Sequence, residues 1–187
     1  MDIAKEILTE TDIRMKKSVE ALRRDLGSIR TGRASPALVE GLIVDYYGTP
    51  TLLSQLASIS VPEPRVLQIQ PWDKQALKDV EKSILKSDLS LTPNNDGTFI
   101  RINLPILTEE RRKELVRIVG SKVEEGRVAV RNIRRDTLEQ LRGKQRNKEL
   151  SQDEARRSQE RLQQVTDQNL GQMGVLRQEK EIEVMEV

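Results

Sequence analysis

Arg127, Arg131, Arg134 and Arg135 are the residues of this chain best suited to chemistry, and that chemistry is phosphate recognition. A guanidinium is planar, permanently charged and presents paired N–H donors that match a phosphate bidentately. At about 100° per residue the four side chains fall within roughly 100° of arc on a helix. Acids four residues away would normally balance such a face, and here they are scarce. A basic run is as often a plain solvated face, so the all-arginine composition is what favours a ligand. Base stacking is not the means, because aromatics are only 2% of residues.

Little else in the chain offers reactive groups. Cysteine and histidine are absent. That removes thiol nucleophiles, imidazole bases, disulfides and thiolate or imidazole metal sites. Glu109, Glu110 and Asp73 sit where helix starts favour acids. Asn94-Asn95-Asp96-Gly97 has the oxygens of a calcium loop without its spacing or its downstream Glu, so a turn is expected. Gly32 and Gly48 are single glycines, not a phosphate loop. No enzyme activity, cofactor or metal is expected.

The ridge needs a long helix, and Thr108 to about Lys148 supplies it. Leu115, Val119, Val123, Val130, Ile133 and Leu141 form one apolar stripe, about 120° round from the arginines. Thr108 is its cap, and the polar run from Gly143 to Leu150 is expected to turn. A first helix over 2–30 carries Ala4, Leu8, Thr11, Met15, Val19, Leu22, Leu26 and Ile29 as its seam. A third begins at Ser151, whose spacing to Glu154 is that of a capping box. Its inner stripe is Ala155, Leu162, Val165, Asn169, Met173 and Leu176. Its acidic end, Glu179 to Glu186, lies beside Ile182, Val184 and Met185, which are expected to anchor it. Three amphipathic helices share one core as a bundle.

Between the first two helices the pattern changes. Leu42 to Tyr47 is β-rich and Gly48-Thr49-Pro50 reads as its closing turn. Ile59 and Val61 alternate with serines, Val66 to Gln70 is a strand, and Phe99 to Leu104 is another. Asp73 caps a helix to about Lys86 with Leu77, Val80, Ile84 and Leu85 on one side. The fold class is therefore α+β: an elongated three-helix bundle, 1–30 and 108–187, interrupted by a small α/β insert, 31–107, of β/α/β sandwich-like character. The links at 31–36 and 104–107 are the expected hinge, with Thr31, Gly32, Arg33, Leu104 and Pro105 as its residues, since Gly32 frees φ and Pro105 fixes it.

Charge follows this division. The net charge of +2 conceals +1 over 1–30, −1 over 31–107, +6 over 108–148 and −4 over 149–187. A basic helix and an acidic end suggest nucleic acid as a partner. No signal peptide or membrane-length apolar run is visible, so a cytoplasmic protein with no membrane partner is expected.

Several stretches carry a family likeness. Arg30-Thr31-Gly32-Arg33-Ala34-Ser35-Pro36, Val44-Asp45-Tyr46-Tyr47-Gly48-Thr49-Pro50 and Gln70-Pro71-Trp72-Asp73-Lys74 come in order. They are followed by Pro93-Asn94-Asn95-Asp96-Gly97, Leu107-Thr108-Glu109-Glu110-Arg111-Arg112-Lys113 and Arg131-Asn132-Ile133-Arg134-Arg135-Asp136. Together they resemble the ribosome recycling factor family. Leu52 and Ile106 depart from it, standing where proline is common. The resemblance implies an L-shaped monomer of tRNA-like outline whose bundle docks on large-subunit rRNA of the ribosome. It further implies that, with elongation factor G and GTP hydrolysis on that partner, the protein splits the post-termination ribosome. Arg30, Arg33, Arg131 and Arg134 are the contacts the resemblance carries over; Arg111, Arg112, Arg127 and Arg135 extend them from the helical wheel. Two other readings compete: a coiled-coil module that forms an obligate oligomer, and an enzyme housed in the insert.

Overall fold

The computed structural model describes residues 3–186. The expected helix start at Asp2 and the bundle limits at 1 and 187 lie outside those residues. The chain divides into two compact units, Met1–Leu26 with Leu115–Glu181, and Gly27–Glu114 with Ile182–Val187. The links expected at 31–36 and 104–107 both lie inside the second unit.

The first unit is built from three long helices: α1 (Ile3–Gly27), α3 (Glu109–Arg146) and α4 (Gln152–Met185), with α2 (Leu77–Lys86) falling between the first two in the chain. The predicted seams are the buried faces. Met15, Val19, Leu22 and Leu26 of α1, Leu115, Val119, Val123, Val130 and Leu141 of α3, and Ala155, Leu162, Val165, Asn169, Met173 and Leu176 of α4 are all buried. Burial at about 25 cal/mol per Å² of apolar surface is what holds such helices together, since their intrinsic propensity alone is marginal. Two positions differ. Leu8 of α1 is only half-buried. Ile133 is only half-buried, and Thr137 occupies the seam in its place at 1% exposure. Thr137 lies seven residues after Val130 and four before Leu141, on the centre of the stripe; its hydroxyl hid it.

Two helix ends also differ from expectation. α1 stops at Gly27, so Ile29 lies beyond it and is half-buried. A side chain at Gly27 would come 3.2 Å from the Ala37 Cβ, so the backbones approach closely there. α3 runs through Gly143 to Arg146, since one glycine inside a helix costs only about 1 kcal/mol. The reversal comes later, at Lys148, whose φ is 59°, with the Glu149 and Leu150 N–H groups donating to the Lys144 carbonyl. Ser151 and Glu154 form the predicted capping box: Ser151 N–H donates to Glu154 Oε2 at 2.8 Å and Glu154 N–H to Ser151 Oγ at 3.2 Å.

In the second unit, β1 (Ile43–Tyr46) and β2 (Thr49–Leu52) form a hairpin. Its two-residue turn is Tyr47-Gly48, with φ of 49° and 79°. The turn thus begins one residue earlier than the expected Gly48-Thr49-Pro50, and Thr49 and Pro50 open a strand. Pro50 pairs with Asp45, one step from the turn, where the antiparallel ladder points the N–H outward and none is needed. A four-stranded antiparallel sheet follows in the order β3 (Ala57–Glu63), β4 (Val66–Pro71), β6 (Ile100–Asn103), β5 (Pro93–Asn95). Pro62 falls in the edge strand β3, between Ser60 and Glu63, where the register shifts. Asn94 and Asn95, expected in a turn, belong to β5. The turn proper uses Asp96 Oδ1 as acceptor for Thr98 and Phe99 N–H, both at 2.9 Å, around Gly97 at φ 89°.

Asp73 caps the next helix as predicted, accepting from Gln75 N–H at 2.9 Å. The chain makes one 3₁₀ turn, Lys74–Ala76, before α2 (Leu77–Lys86). Leu77, Val80 and Ile84 of α2 join Val44, Leu67, Ile69, Ile100 and Ile102 in one core. Leu85, expected on that side, is 60% exposed, because it stands a further 100° or so round the helix from Ile84. The four aromatic residues, Tyr46, Tyr47, Trp72 and Phe99, all belong to this second unit.

Candidate nucleic-acid interface

The arginine ridge lies on α3 within the first unit, off the buried stripe. Arg131 and Arg135 are exposed, and Arg127 and Arg134 are half-buried. Two of the four are held by neighbours. Arg131 Nη2 meets Glu124 Oε1 at 2.6 Å, two turns back along the same helix, and that guanidinium holds the Glu124 carboxyl below its ordinary range. Arg134 Nε donates to Gln163 Oε1 of α4 at 3.0 Å. Arg127 and Arg135 form no ion pair among the described residues. The ridge is therefore a row of cations with a partly fixed geometry. Such fixing lowers the side-chain entropy lost when an anion is bound. A spacing of seven made Glu124 readable in principle as a partner for Arg131. Gln163 lies on another helix, and no one-dimensional signal ties it to Arg134.

The remaining predicted contacts lie in the second unit. Arg33 Nη1 pairs with Glu186 Oε2 at 3.3 Å, and both side chains stay more than half exposed. Arg112 Nη1 donates to the Met185 carbonyl at 3.4 Å, while its Nε is buried without a partner. Arg111 pairs with Glu114 at 2.6 Å, and Arg30 is half-buried with no ion pair among the described residues. Arg33 and Arg112 thus both bond where α4 ends, at Met185 and the residue after it. A phosphate would have to displace those acceptors from both.

The expected hinge residues fall in the same unit. Thr31 is 1% exposed and donates to Glu183 Oε1 at 2.6 Å. Leu104 is also buried; its N–H donates to the Arg65 carbonyl at 2.8 Å and its carbonyl accepts from Arg65 Nε at 3.2 Å. Ala34 N–H donates to the Pro64 carbonyl at 2.7 Å. Gly32 is half-buried, and Arg33 and Pro105 are exposed. The Pro64-Arg65 turn therefore fastens both links. Of the apolar residues expected to anchor the acidic end, Val184 is buried, while Ile182 and Met185 are more than half exposed.

One polar cluster escaped the sequence reading. Tyr46 and Tyr47 hydroxyls both donate to Asp73 Oδ2, at 3.1 and 3.2 Å, and Tyr47 also reaches Gln75 Oε1 at 2.6 Å. The cap's backbone bond, then the two hydroxyls, hold the Asp73 carboxyl low; the bond to Asp73 raises Tyr46, while desolvation and then that bond raise Tyr47.

Comparison with known proteins places this architecture. The family model described as "Ribosome recycling factor" matches residues 22–185. The ribosome-recycling factor of Syntrophomonas wolfei is 51% identical over 183 residues, 98% of this chain and 99% of that protein. That of Desulforamulus reducens is 51% identical over 185 residues, 99% of this chain and 100% of that protein. Among solved structures, a solution structure of a ribosome recycling factor aligns with a TM-score of 0.79 at 43% identity, covering 98% of both chains. Another, from models of the T. thermophilus recycling factor and E. coli elongation factor G bound to the E. coli post-termination complex, aligns with a TM-score of 0.71. It is 46% identical and covers 98% of this chain and 99% of that one. No helix of the described residues is long and apolar enough to cross a membrane.

Proposed function

Since the chain belongs to the ribosome recycling factor family, we propose that it is a non-enzymatic translation factor that splits the post-termination ribosome into subunits. It works in the cytoplasm as a monomer with elongation factor G, which hydrolyses the GTP. The related recycling factor seen with that partner on the post-termination complex supports the pairing.

The observation that carries the docking mode is the α3 ridge. Arg131 and Arg134 are oriented by Glu124 and Gln163, and Arg127 and Arg135 beside them have no ion pair among the described residues. These four bind large-subunit rRNA phosphates, and Arg30, Arg33, Arg111 and Arg112 add to them. Thr31, Gly32, Arg33, Leu104 and Pro105 form the hinge through which the insert receives the push of elongation factor G. Leu104 and Ala34, bonded to the Pro64-Arg65 turn, mark the insert's side of that hinge.

Sedimentation with purified ribosomes over a range of salt tests this. Log affinity should fall linearly with log salt. Arg134→Ala should weaken binding by about 1–3 kcal/mol with little change in melting. Wild-type affinity in that variant and in Arg131→Ala would reject the ridge as the docking face.

A further inference from the structure

The outer face of α2 carries a second row of cations. Lys74, Lys78, Lys82 and Lys86 recur every fourth residue, and all four are exposed. At about 100° per residue, Lys78, Lys82 and Lys86 span roughly 80° and stand opposite the buried Leu77, Val80 and Ile84. They rise about 6 Å from one to the next along the axis.

Fold stability does not account for this row. None of the four lysines forms an ion pair or hydrogen bond among the described residues. The two acids of the same helix flank the row without pairing to it: Glu81 accepts from Asn95 Nδ2 at 3.4 Å, and the Asp79 charge acts on Tyr47. Lys86 lies in the last turn, where the helix dipole favours a cation. Lys78 lies in the first turn, where it does not. Four like charges at this spacing also repel one another. Protein interfaces are depleted in lysine and are built round apolar or aromatic anchors, and Leu85 is the one large apolar residue on this face. Evenly spaced flexible ammonium groups suit a chain of phosphates.

We propose that the exposed face of α2, through Lys78, Lys82 and Lys86 with Lys74 at its start, is a second RNA-binding surface that grips an rRNA phosphate backbone independently of the α3 ridge. It rests on the ribosome-docking reading and gives the insert its own hold on the ribosome. The contact is electrostatic and insensitive to base sequence.

The test measures binding of the full chain to purified ribosomes by sedimentation across a range of salt. It compares wild type with a triple variant (Lys78→Gln, Lys82→Gln, Lys86→Gln), its arginine counterpart at the same positions, and Arg131→Gln with Arg134→Gln. The glutamine variant should flatten the log–log salt slope by roughly 2–3, the value for three lost phosphate contacts. The arginine variant should restore it. A slope equal to wild type in the glutamine variant, with the ridge variant defective, overturns this inference and leaves the ridge standing. A flattened slope with the ridge variant unaffected upholds it and removes the ridge. Weaker binding with an unchanged slope overturns it in favour of a protein partner.

Discussion

The hydroxyls of Thr11 and Thr137 lie 2.8 Å apart inside the helical unit, joining α1 to α3. Each also reaches a carbonyl of its own helix, Ile7 at 2.7 Å and Ile133 at 2.9 Å. Two protons serve three oxygen contacts, so one hydroxyl donates to its partner and the other to its carbonyl. Either arrangement satisfies both donors. An apolar surround makes this pair specific, because a shift of one residue along the seam would strand a hydroxyl.

Thr137→Val should therefore cost about 1 kcal/mol, the net worth of one buried hydrogen bond. The double variant with Thr11→Val should cost less than the sum of the single ones, since it leaves no unpaired group behind. Urea unfolding of the four proteins in the cycle checks this. Strict additivity would mean the two hydroxyls do not interact.

Gly126 is tested by size. A Cβ there would meet Met173 Cε at 3.3 Å, Met173 Sδ at 3.4 Å and Leu22 Cδ2 at 3.6 Å, where the three helices come together. Gly126→Ala gains about 1 kcal/mol of helix propensity and asks only the flexible end of Met173 to move, so it should be close to neutral. Gly126→Leu should destabilise by about 1–3 kcal/mol through overpacking. Melting temperatures of both variants give the answer.

The capping box at Ser151 predicts a pH effect. The backbone N–H of Ser151, and then its hydroxyl, hold the Glu154 carboxyl below its ordinary value. A lowered folded-state pKa contributes stability above the unfolded value and loses it as pH falls through the folded one. Thermal melts taken down the acid range should show this loss in wild type and a shallower one in Glu154→Gln, which keeps an acceptor without titrating. Ser151→Ala should cost about 1 kcal/mol at neutral pH.

At the other end of the pH scale, Asp73→Asn should bring the raised pKa of Tyr46 down toward its ordinary value, because the carboxylate is what opposes the phenolate. Asparagine also caps helices well, so the melt should barely move. An ultraviolet absorbance titration compared with wild type decides it. An unchanged tyrosine curve would mean that the carboxylate does not govern Tyr46.

Much of the architecture could be read directly from residue spacing. Three- and four-residue recurrence identified the buried faces of α1, α3 and α4, and Asp73, Thr108 and Ser151 were visible as caps because capping is local chemistry. Misreadings came where a local signal met a tertiary demand. Pro50 signals a turn, yet an outward-pointing ladder position tolerates it. Thr137 signals surface, yet a partner hydroxyl lets it stay buried. The angular grouping of the ridge arginines follows from helix geometry alone. Their supports are another matter: Gln163 reaches Arg134 from α4, and nothing along the chain announces a bond between helices.

The confinement of all four aromatic residues to the second unit makes the chain self-labelled for spectroscopy. Tryptophan emission comes from Trp72 alone, and near-ultraviolet dichroism from the same unit. Far-ultraviolet dichroism is dominated by the long helices. The two signals therefore follow different units in one sample. Coincident melting curves would mark a single cooperative transition. A gap between the curves would measure how far one unit outlasts the other.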